Sequence, residues 1–222
     1  MSTITPHIVW DWNGTLFHDT EAVVGATNAA FAEFGVAPIT LEQYRELYCV
    51  PIPRFYERMM GRAPTAEEWE AMDGVFHRYY GEHSIRCGLA EGAEALLTGW
   101  AQAGHSQSIL SMYGHEELVP LVRGLGIDRH FLRVEGRTGT AGGSKAAHMV
   151  RHLAALDAVR EERTVVIGDA ADDAVAAHAV GARAVLYTGG THSRGRLEAT
   201  GAVVVDSLSE AVEVAHGVFE QG

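Results

Sequence analysis

The run TVVIGD at 164–169 constrains the fold more than any other stretch of the chain. Its first four residues are β-branched or apolar without alternation, so both faces need cover, and it closes on Gly-Asp. Such a run fits a strand buried in a parallel sheet. Similar runs occur at IVWD (8–11), QSILS (107–111), RAVLYT (183–188) and AVVVDS (202–207), with a weaker one at FLRVE (131–135). Helical patterns at 91–103, 114–124, 144–157, 170–180 and 208–219 separate most of them. This βαβ rhythm predicts an α/β fold, a Rossmann-like doubly wound parallel sheet. Residues 18–88 break the rhythm. They read as four helical pieces with no strand between them, and the α/β pattern resumes after Gly88. The expected organisation is therefore a core of residues 1–17 and 89–222 with an all-helical insertion, 18–88.

Charge narrows the partners. The formal net charge of −12 argues against a general nucleic-acid or anionic-membrane surface. No apolar run approaches the roughly 20 residues of a membrane span. The start MSTITPHIVW has neither a basic segment nor a long apolar stretch, so a cytoplasmic protein without a signal peptide is expected. Cys49 and Cys87 lack metal-ligand spacing and read as reduced thiols. Oligomeric state is not legible. Lys145 is the single lysine beside sixteen arginines. Its compact charge on a thin stem is not interchangeable with a guanidinium.

In open α/β sheets, ligands bind outside the carboxyl ends of strands. Three such ends carry reactive groups here. Asp11 closes the first strand, Ser111 the second, and Asp169 the TVVIG strand, with Asp172 and Asp173 just beyond. Lys145 opens a helix after the Gly-rich GTAGGS. A single aspartate at a strand end is often only a helix cap; the conjunction asks for more. It suits phosphoryl transfer through a carboxylate nucleophile. Asp11 and Asp169 would jointly hold Mg²⁺, a hard ion that prefers oxygen ligands. The metal would shield Asp11 from the phosphate's charge. Ser111 would donate a hydrogen bond to a phosphoryl oxygen, and Lys145 would neutralise further charge. Gly14 would permit a tight turn, bringing the backbone N–H groups of Gly14 and Thr15 toward the group in flight.

These motifs resemble those of the haloacid dehalogenase (HAD) superfamily. DWNGTL is similar to its first motif, DxDGT; ILS at 109–111 to its second; Lys145 to its third; and IGDAADD at 167–173 to its fourth, GDxxxD. Motif order matches along nearly the whole chain, and a helical insertion after the first motif resembles the family's C1 cap. The nearest group is the phosphoglycolate-phosphatase-like hydrolases. The resemblance implies Asp11 as nucleophile of an aspartyl-phosphate mechanism acting on a small phosphorylated substrate. It implies Asp11, the backbone carbonyl of Asn13, Asp169 and Asp173 around Mg²⁺. Asp173 would order metal-bound water or Lys145, a role Asp172 could share. The cap would close over the substrate.

Asn13 departs from the pattern. Phosphatases of the family usually carry Asp there, which protonates the leaving group and then deprotonates water. An amide does neither, and such assistance is worth about 10²–10⁴-fold. Three readings stay open. The protein is a phosphatase for substrates with good leaving groups, or one whose proton comes from His18, Asp19 or a cap residue. It is another HAD chemistry, although dehalogenases resemble SSNxxxD rather than GDxxxD. Phosphonoacetaldehyde hydrolases need a cap lysine that this chain lacks. Or it is a weakened enzyme that binds or senses a phosphorylated ligand. Asn13-Gly14 is also a deamidation-prone dipeptide, so trace activity could come from chains converted to aspartate.

Other signals weigh less. GTAGGSKA is not a P-loop, because Ser144 precedes the lysine and Ala146 follows it. His148 and His152, four apart, suit a solvated helix face better than a metal pair. The aromatic and methionine residues of 55–80 read as packing of the insertion. Arg54, stiffened by Pro51 and Pro53, is a candidate for binding an anionic substrate or else a surface residue. Tyr113 and His115 either border the pocket or begin the next helix.

Overall fold

The computed structural model describes residues 5–138 and 144–220. GTAGGS lies outside them except for Ser144. The described chain divides into two units. One comprises Met1–His18, Leu89–Gly190 and Arg194–Gly222; the other comprises Asp19–Gly88 and Thr191–Ser193.

The first unit is built on six parallel strands: β1 (His7–Trp10), β2 (Ser106–Gly114), β3 (Val134–Arg137), β4 (Thr164–Gly168), β5 (Arg183–Tyr187) and β6 (Val203–Val205). Their order is β3-β2-β1-β4-β5-β6. Successive strands run to one side of β1 and then to the other, so strand order reverses at β1 and β4, where such sheets bind ligands. Helices α5 (Ala93–Gln102), α6 (His115–Gly124), α7 (Lys145–Ala154), α8 (Ala171–Ala179), α9 (Arg194–Glu198) and α10 (Leu208–Glu220) complete the unit. Register sets what each face carries. His7 pairs with Ser106 and Val9 with Ser108, while Ile8 pairs with Gln107 and Trp10 with Ile109. Because side chains alternate across a strand, Val9 and Leu110 point with Met149 and Leu153 of α7 into one buried cluster, joined by Val166 and Leu186. On the opposite face Trp10 donates its indole N–H to Gln107 Oε1 at 3.0 Å, and Gln107 donates to the Leu97 carbonyl at 2.8 Å, tying α5 down.

The strands and helices differ in detail from the expectation. The FLRVE pattern begins too early: Phe131 still closes the turn at Asp128–His130, with its N–H on the Asp128 carbonyl, and β3 starts at Val134. The second strand does not end at Ser111. It continues to Gly114, but its register with β3 slips between Leu110 and Gly114, so Ser111 sits where the ladder is irregular. Such irregularities re-aim side chains near functional sites. The short helix α9 escaped notice because five residues hold barely more than one turn of periodicity.

The second unit contains α1 (Thr20–Glu33), α2 (Leu41–Leu47), α3 (Ile52–Met60) and α4 (Ala66–Ser84). Thr40 with Gln43, and Thr65 with Glu68, form capping boxes that start α2 and α4; such caps contribute about 1 kcal/mol each. Phe31, Tyr44, Phe55, Tyr56 and Met72 bury themselves against one another, with ring centroids of Phe31 and Tyr56 at 5.4 Å. The sequence offers no reason to separate Thr191–Ser193 from the core, yet they group with these helices: Ser193 donates its N–H to the Arg45 carbonyl at 3.3 Å. No helix among the described residues is long and apolar enough to cross a membrane.

Candidate active site

Asp11 follows β1 directly, and its N–H donates to the Ile167 carbonyl at 2.8 Å, which ties it to neighbouring β4. Asp169 follows β4, and Asp173 lies one turn further, in the first turn of α8. These three carboxylates are all buried and offer oxygens within 4.8 Å of one another. Lys145, at the first position of α7, is buried beside them. Its ammonium donates to Asp11 Oδ1 and pairs with Asp173 Oδ1 at 2.5 Å. Asp173 Oδ2 also accepts the Ala170 N–H at 3.0 Å. Four residues from three stretches of the sequence thus converge at the reversal of strand order.

Charge in the cluster does not balance. Three carboxylates face one ammonium, a formal −2 when all are ionised. Burial lifts the Asp11 carboxyl well above the ordinary range; Lys145 opposes this, and Asp173 and Asp169 reinforce it. Burial likewise raises Asp173, against the pull of Lys145. For Lys145, burial disfavours the charge, but Asp11, Asp173 and Asp172 outweigh it and hold the ammonium protonated. A divalent, oxygen-seeking cation would supply the missing charge. Mg²⁺ is held through oxygens, and three carboxylates whose oxygens lie within 4.8 Å of one another would suit such an ion.

Glycines give the carboxylates room. A Cβ on Gly190 would lie 2.1 Å from Asp169 Oδ2, and one on Gly168 would lie 2.1 Å from Asp173 Cγ. Gly14 has φ of +70°, and a Cβ there would meet Asp169 Oδ2 at 2.7 Å. Gly190 was missed at the level of sequence; its signal is the Gly-Gly pair just beyond β5.

The remaining expected residues divide. Ser111 is buried and its Oγ accepts the Tyr113 N–H at 3.1 Å, which leaves its hydroxyl proton for a ligand oxygen. Thr15 contributes differently from the expectation. Its hydroxyl donates to Asp169 Oδ1 at 3.1 Å, while its N–H goes to the Trp12 carbonyl at 3.2 Å. The Gly14 N–H goes to the Phe17 carbonyl at 3.0 Å. The turn therefore uses both N–H groups internally instead of aiming them at a substrate. Trp12 and Phe17 stack beneath it with centroids 5.2 Å apart. Asn13 is half-buried in this turn. Arg54 belongs to the helical unit and is exposed on α3. His18 is exposed, and Asp19, in the helical unit, accepts the Tyr80 hydroxyl at 2.7 Å. His115 begins α6 and accepts the Gly136 N–H on Nδ1 at 3.2 Å. His148 and His152 are buried, which corrects the expectation of a solvated face. Among the described residues neither joins a cluster of metal-ligating groups: Arg151 engages His148 at 2.8 Å, and Ser108 and Glu135 engage His152.

The turn geometry also bears on deamidation. Succinimide closure needs the Gly14 nitrogen to attack the Asn13 side chain, and that N–H is held by Phe17. Asn13 is expected to deamidate more slowly in the native protein than in urea-unfolded chain at the same pH. Peptide mapping after timed incubation reads both rates; equal rates would show that the turn gives no protection.

Residues 8–187 match the family of haloacid dehalogenase-like hydrolases, and the chain belongs to that family. Within it, the protein is a phosphatase-like hydrolase. A phosphoglycolate phosphatase of Cereibacter sphaeroides is 28% identical over 201 residues, covering 83% of this chain and 86% of that protein. One from Cupriavidus necator is 27% identical over 205 residues, covering 90% and 89%. Among solved structures, a haloacid dehalogenase-like family hydrolase from Streptococcus pneumoniae superposes with a TM-score of 0.80 at 18% identity, over 96% of this chain and 99% of that one. That last likeness speaks for the fold alone.

Proposed function

We propose that the protein is a Mg²⁺-dependent phosphatase of a small phosphorylated metabolite, working through a phospho-Asp11 intermediate and restricted to substrates with good leaving groups. The observation that carries this reading is the buried trio Asp11, Asp169 and Asp173 with Lys145 as its one ammonium. Asp11, Asp169 and the backbone carbonyl of Asn13 are the proposed metal ligands, with Asp173 acting through water or Lys145. When bound, the metal offsets the repulsion between the Asp11 carboxylate and the incoming phosphate. The relatives named above act on phosphoglycolate by their names; its leaving group is an alkoxide, so on the present reading this chain turns it over more slowly than an acyl or aryl phosphate.

The chain's own residues then divide the work. Asp11 uses a carboxylate oxygen to attack phosphorus, and the bond from phosphorus to the leaving oxygen breaks. Lys145, held between Asp11 and Asp173, keeps the nucleophile oriented and balances charge gathering on the phosphoryl oxygens. Ser111 donates its remaining proton to one of those oxygens. Thr15 holds Asp169 in place through its hydroxyl. Water then attacks the phosphorus of phospho-Asp11, releasing phosphate and restoring the carboxylate. At neither stage does Asn13 move a proton, so the leaving oxygen departs as an anion. Acyl and aryl phosphates tolerate this; simple alkyl phosphates do not.

The test is metal-dependent phosphate release from acetyl phosphate, para-nitrophenyl phosphate, an alkyl phosphate and phosphoglycolate. The expected ordering follows leaving-group acidity, with turnover abolished by EDTA. Equal rates across the series would mean that another group replaces the missing acid. A protein inert toward all four that still binds Mg²⁺ would be a ligand binder instead.

A further inference from the structure

Beneath the carboxylate cluster, the core contains a second polar system that phosphoryl transfer does not use. His7 of β1, Ser106 and Ser108 of β2, Glu135 of β3 and His152 of α7 form one connected chain. His7 Nδ1 lies 2.8 Å from Ser106 Oγ, and His7 Nε2 lies 2.9 Å from Ser108 Oγ. Ser108 Oγ lies 2.8 Å from His152 Nε2, and His152 Nδ1 lies 3.0 Å from Glu135 Oε2. Arg133 Nε donates to the same Glu135 oxygen at 2.6 Å. Strand register produces the assembly: His7 pairs with Ser106, and Leu110, on the Ser108 side, pairs with Glu135, so all four strand residues face α7.

Hydrogen bonds from His152 first, and from Arg133, hold the Glu135 carboxyl down to about 2, so it accepts from His152 Nδ1. The Ser108 hydroxyl lies between His152 Nε2 and His7 Nε2, and His7 Nδ1 lies on Ser106 Oγ, so each member of the chain has a partner. Burial, reinforced by His152, pushes His7 down to about 3. Ser108, His7 and His152 have no measurable exposure, so this Ser-His-Glu array is closed to any substrate.

Its mechanical placement is specific. The buried stripe of α7 is Lys145, His148, Met149, His152 and Leu153. Lys145 and His152 are seven residues apart, two turns along one face, about 10 Å. Met149 and Leu153 alone would bury the helix, but apolar contacts are non-directional and tolerate sliding and rotation. A fully satisfied polar network fixes a single arrangement. We infer that the His7–Ser108–His152–Glu135 chain is a positioning device, locking α7 to β1, β2 and β3 so that Lys145 stands between Asp11 and Asp173. His152 is its central positioning residue. The catalytic meaning of that position rests on the function proposed above; the mechanical statement does not.

Because Lys145 is the only lysine, its acylation rate can be read residue-specifically by peptide mass mapping, with the N-terminal amine resolved separately. The variants are His152→Leu, which removes both hydrogen bonds, and the milder Ser108→Ala, which removes the link. His152→Gln preserves a partner for Ser108. Val185→Ala, a buried truncation in β5 away from α7, supplies a control for general destabilisation. Global stability is measured for each by urea unfolding. His152→Leu and Ser108→Ala are expected to raise Lys145 acylation about tenfold in native conditions, beyond the control after correction for stability, with His152→Gln intermediate. Acylation that tracks global stability alone, the same in the α7 variants as in Val185→Ala, would overturn the positioning role. If His152→Leu does not fold, Ser108→Ala decides. The assay needs no substrate, so an inert wild type would defeat the phosphatase reading and leave this comparison intact.

Discussion

Asp11→Asn is expected to lower phosphate release by about 10⁴-fold or more on every substrate the wild type turns over. The amide oxygen is too weak a nucleophile to attack phosphorus, so the loss falls on kcat and binding changes little. The fold should survive. Burial and two neighbouring carboxylates already disfavour a charge on Asp11, and a neutral side chain of nearly the same shape removes that repulsion. Asp173 still holds Lys145 after the change. The melting temperature in EDTA should accordingly be no lower than that of the wild type. Intact-mass analysis of quenched turnover gives a second readout: an added phosphoryl group on wild type and none on the variant. Retention of a tenth of wild-type activity by Asp11→Asn would sink the phospho-aspartate scheme.

Asn13→Asp is expected to act in the opposite direction, and selectively. Restoring a carboxyl two residues past the nucleophile supplies the missing general acid and base, worth about 10²–10⁴-fold on kcat for the alkyl phosphate. Acetyl phosphate, whose leaving group departs readily as an anion, should gain little in its first step. The ratio of alkyl to acyl turnover is therefore the informative quantity. The variant also adds a fourth carboxylate near a cluster that already lacks positive charge, so it should be less stable than wild type in EDTA and recover with Mg²⁺. An unchanged ratio would mean that Asn13 does not limit protonation of the leaving group.

Much of the site was legible because its chemistry sits where strand grammar puts it. Asp11 and Asp169 follow continuous apolar runs, and a parallel sheet brings the ends of neighbouring strands together. Lys145 stood out by being alone. Ser111 was found for a partly mistaken reason: it does not end β2 but lies at an irregularity within it, which depends on register with β3 and has no local signature. Gly190 was invisible as a site residue, because only the fold reveals that a Cβ there would collide with Asp169, twenty-one positions away. The backbone N–H groups of Gly14 and Thr15 were given to the substrate. The turn keeps them, because Trp12 and Phe17 offer carbonyls within hydrogen-bond reach.

His148 and His152 mark the limit most clearly. Spacing alone shows that two residues share a helix face, and histidine is more often exposed than fully buried, so a solvated face was the reasonable reading. Burial became affordable only because Ser108, Glu135 and Arg151 are there to satisfy the imidazoles, and those partners come from other elements of the fold. By itself, then, the sequence determined the α/β class, the helical character of the 18–88 segment and the candidates Asp11, Asp169, Asp173 and Lys145 that the fold gathers into one cluster. These follow from local periodicity and residue chemistry. The tertiary structure decided the charge balance at the cluster, the commitments of each hydrogen-bond donor and the buried chain beneath α7. Those are properties of pairs of residues distant in sequence, and only strand register and helix docking bring such pairs within reach.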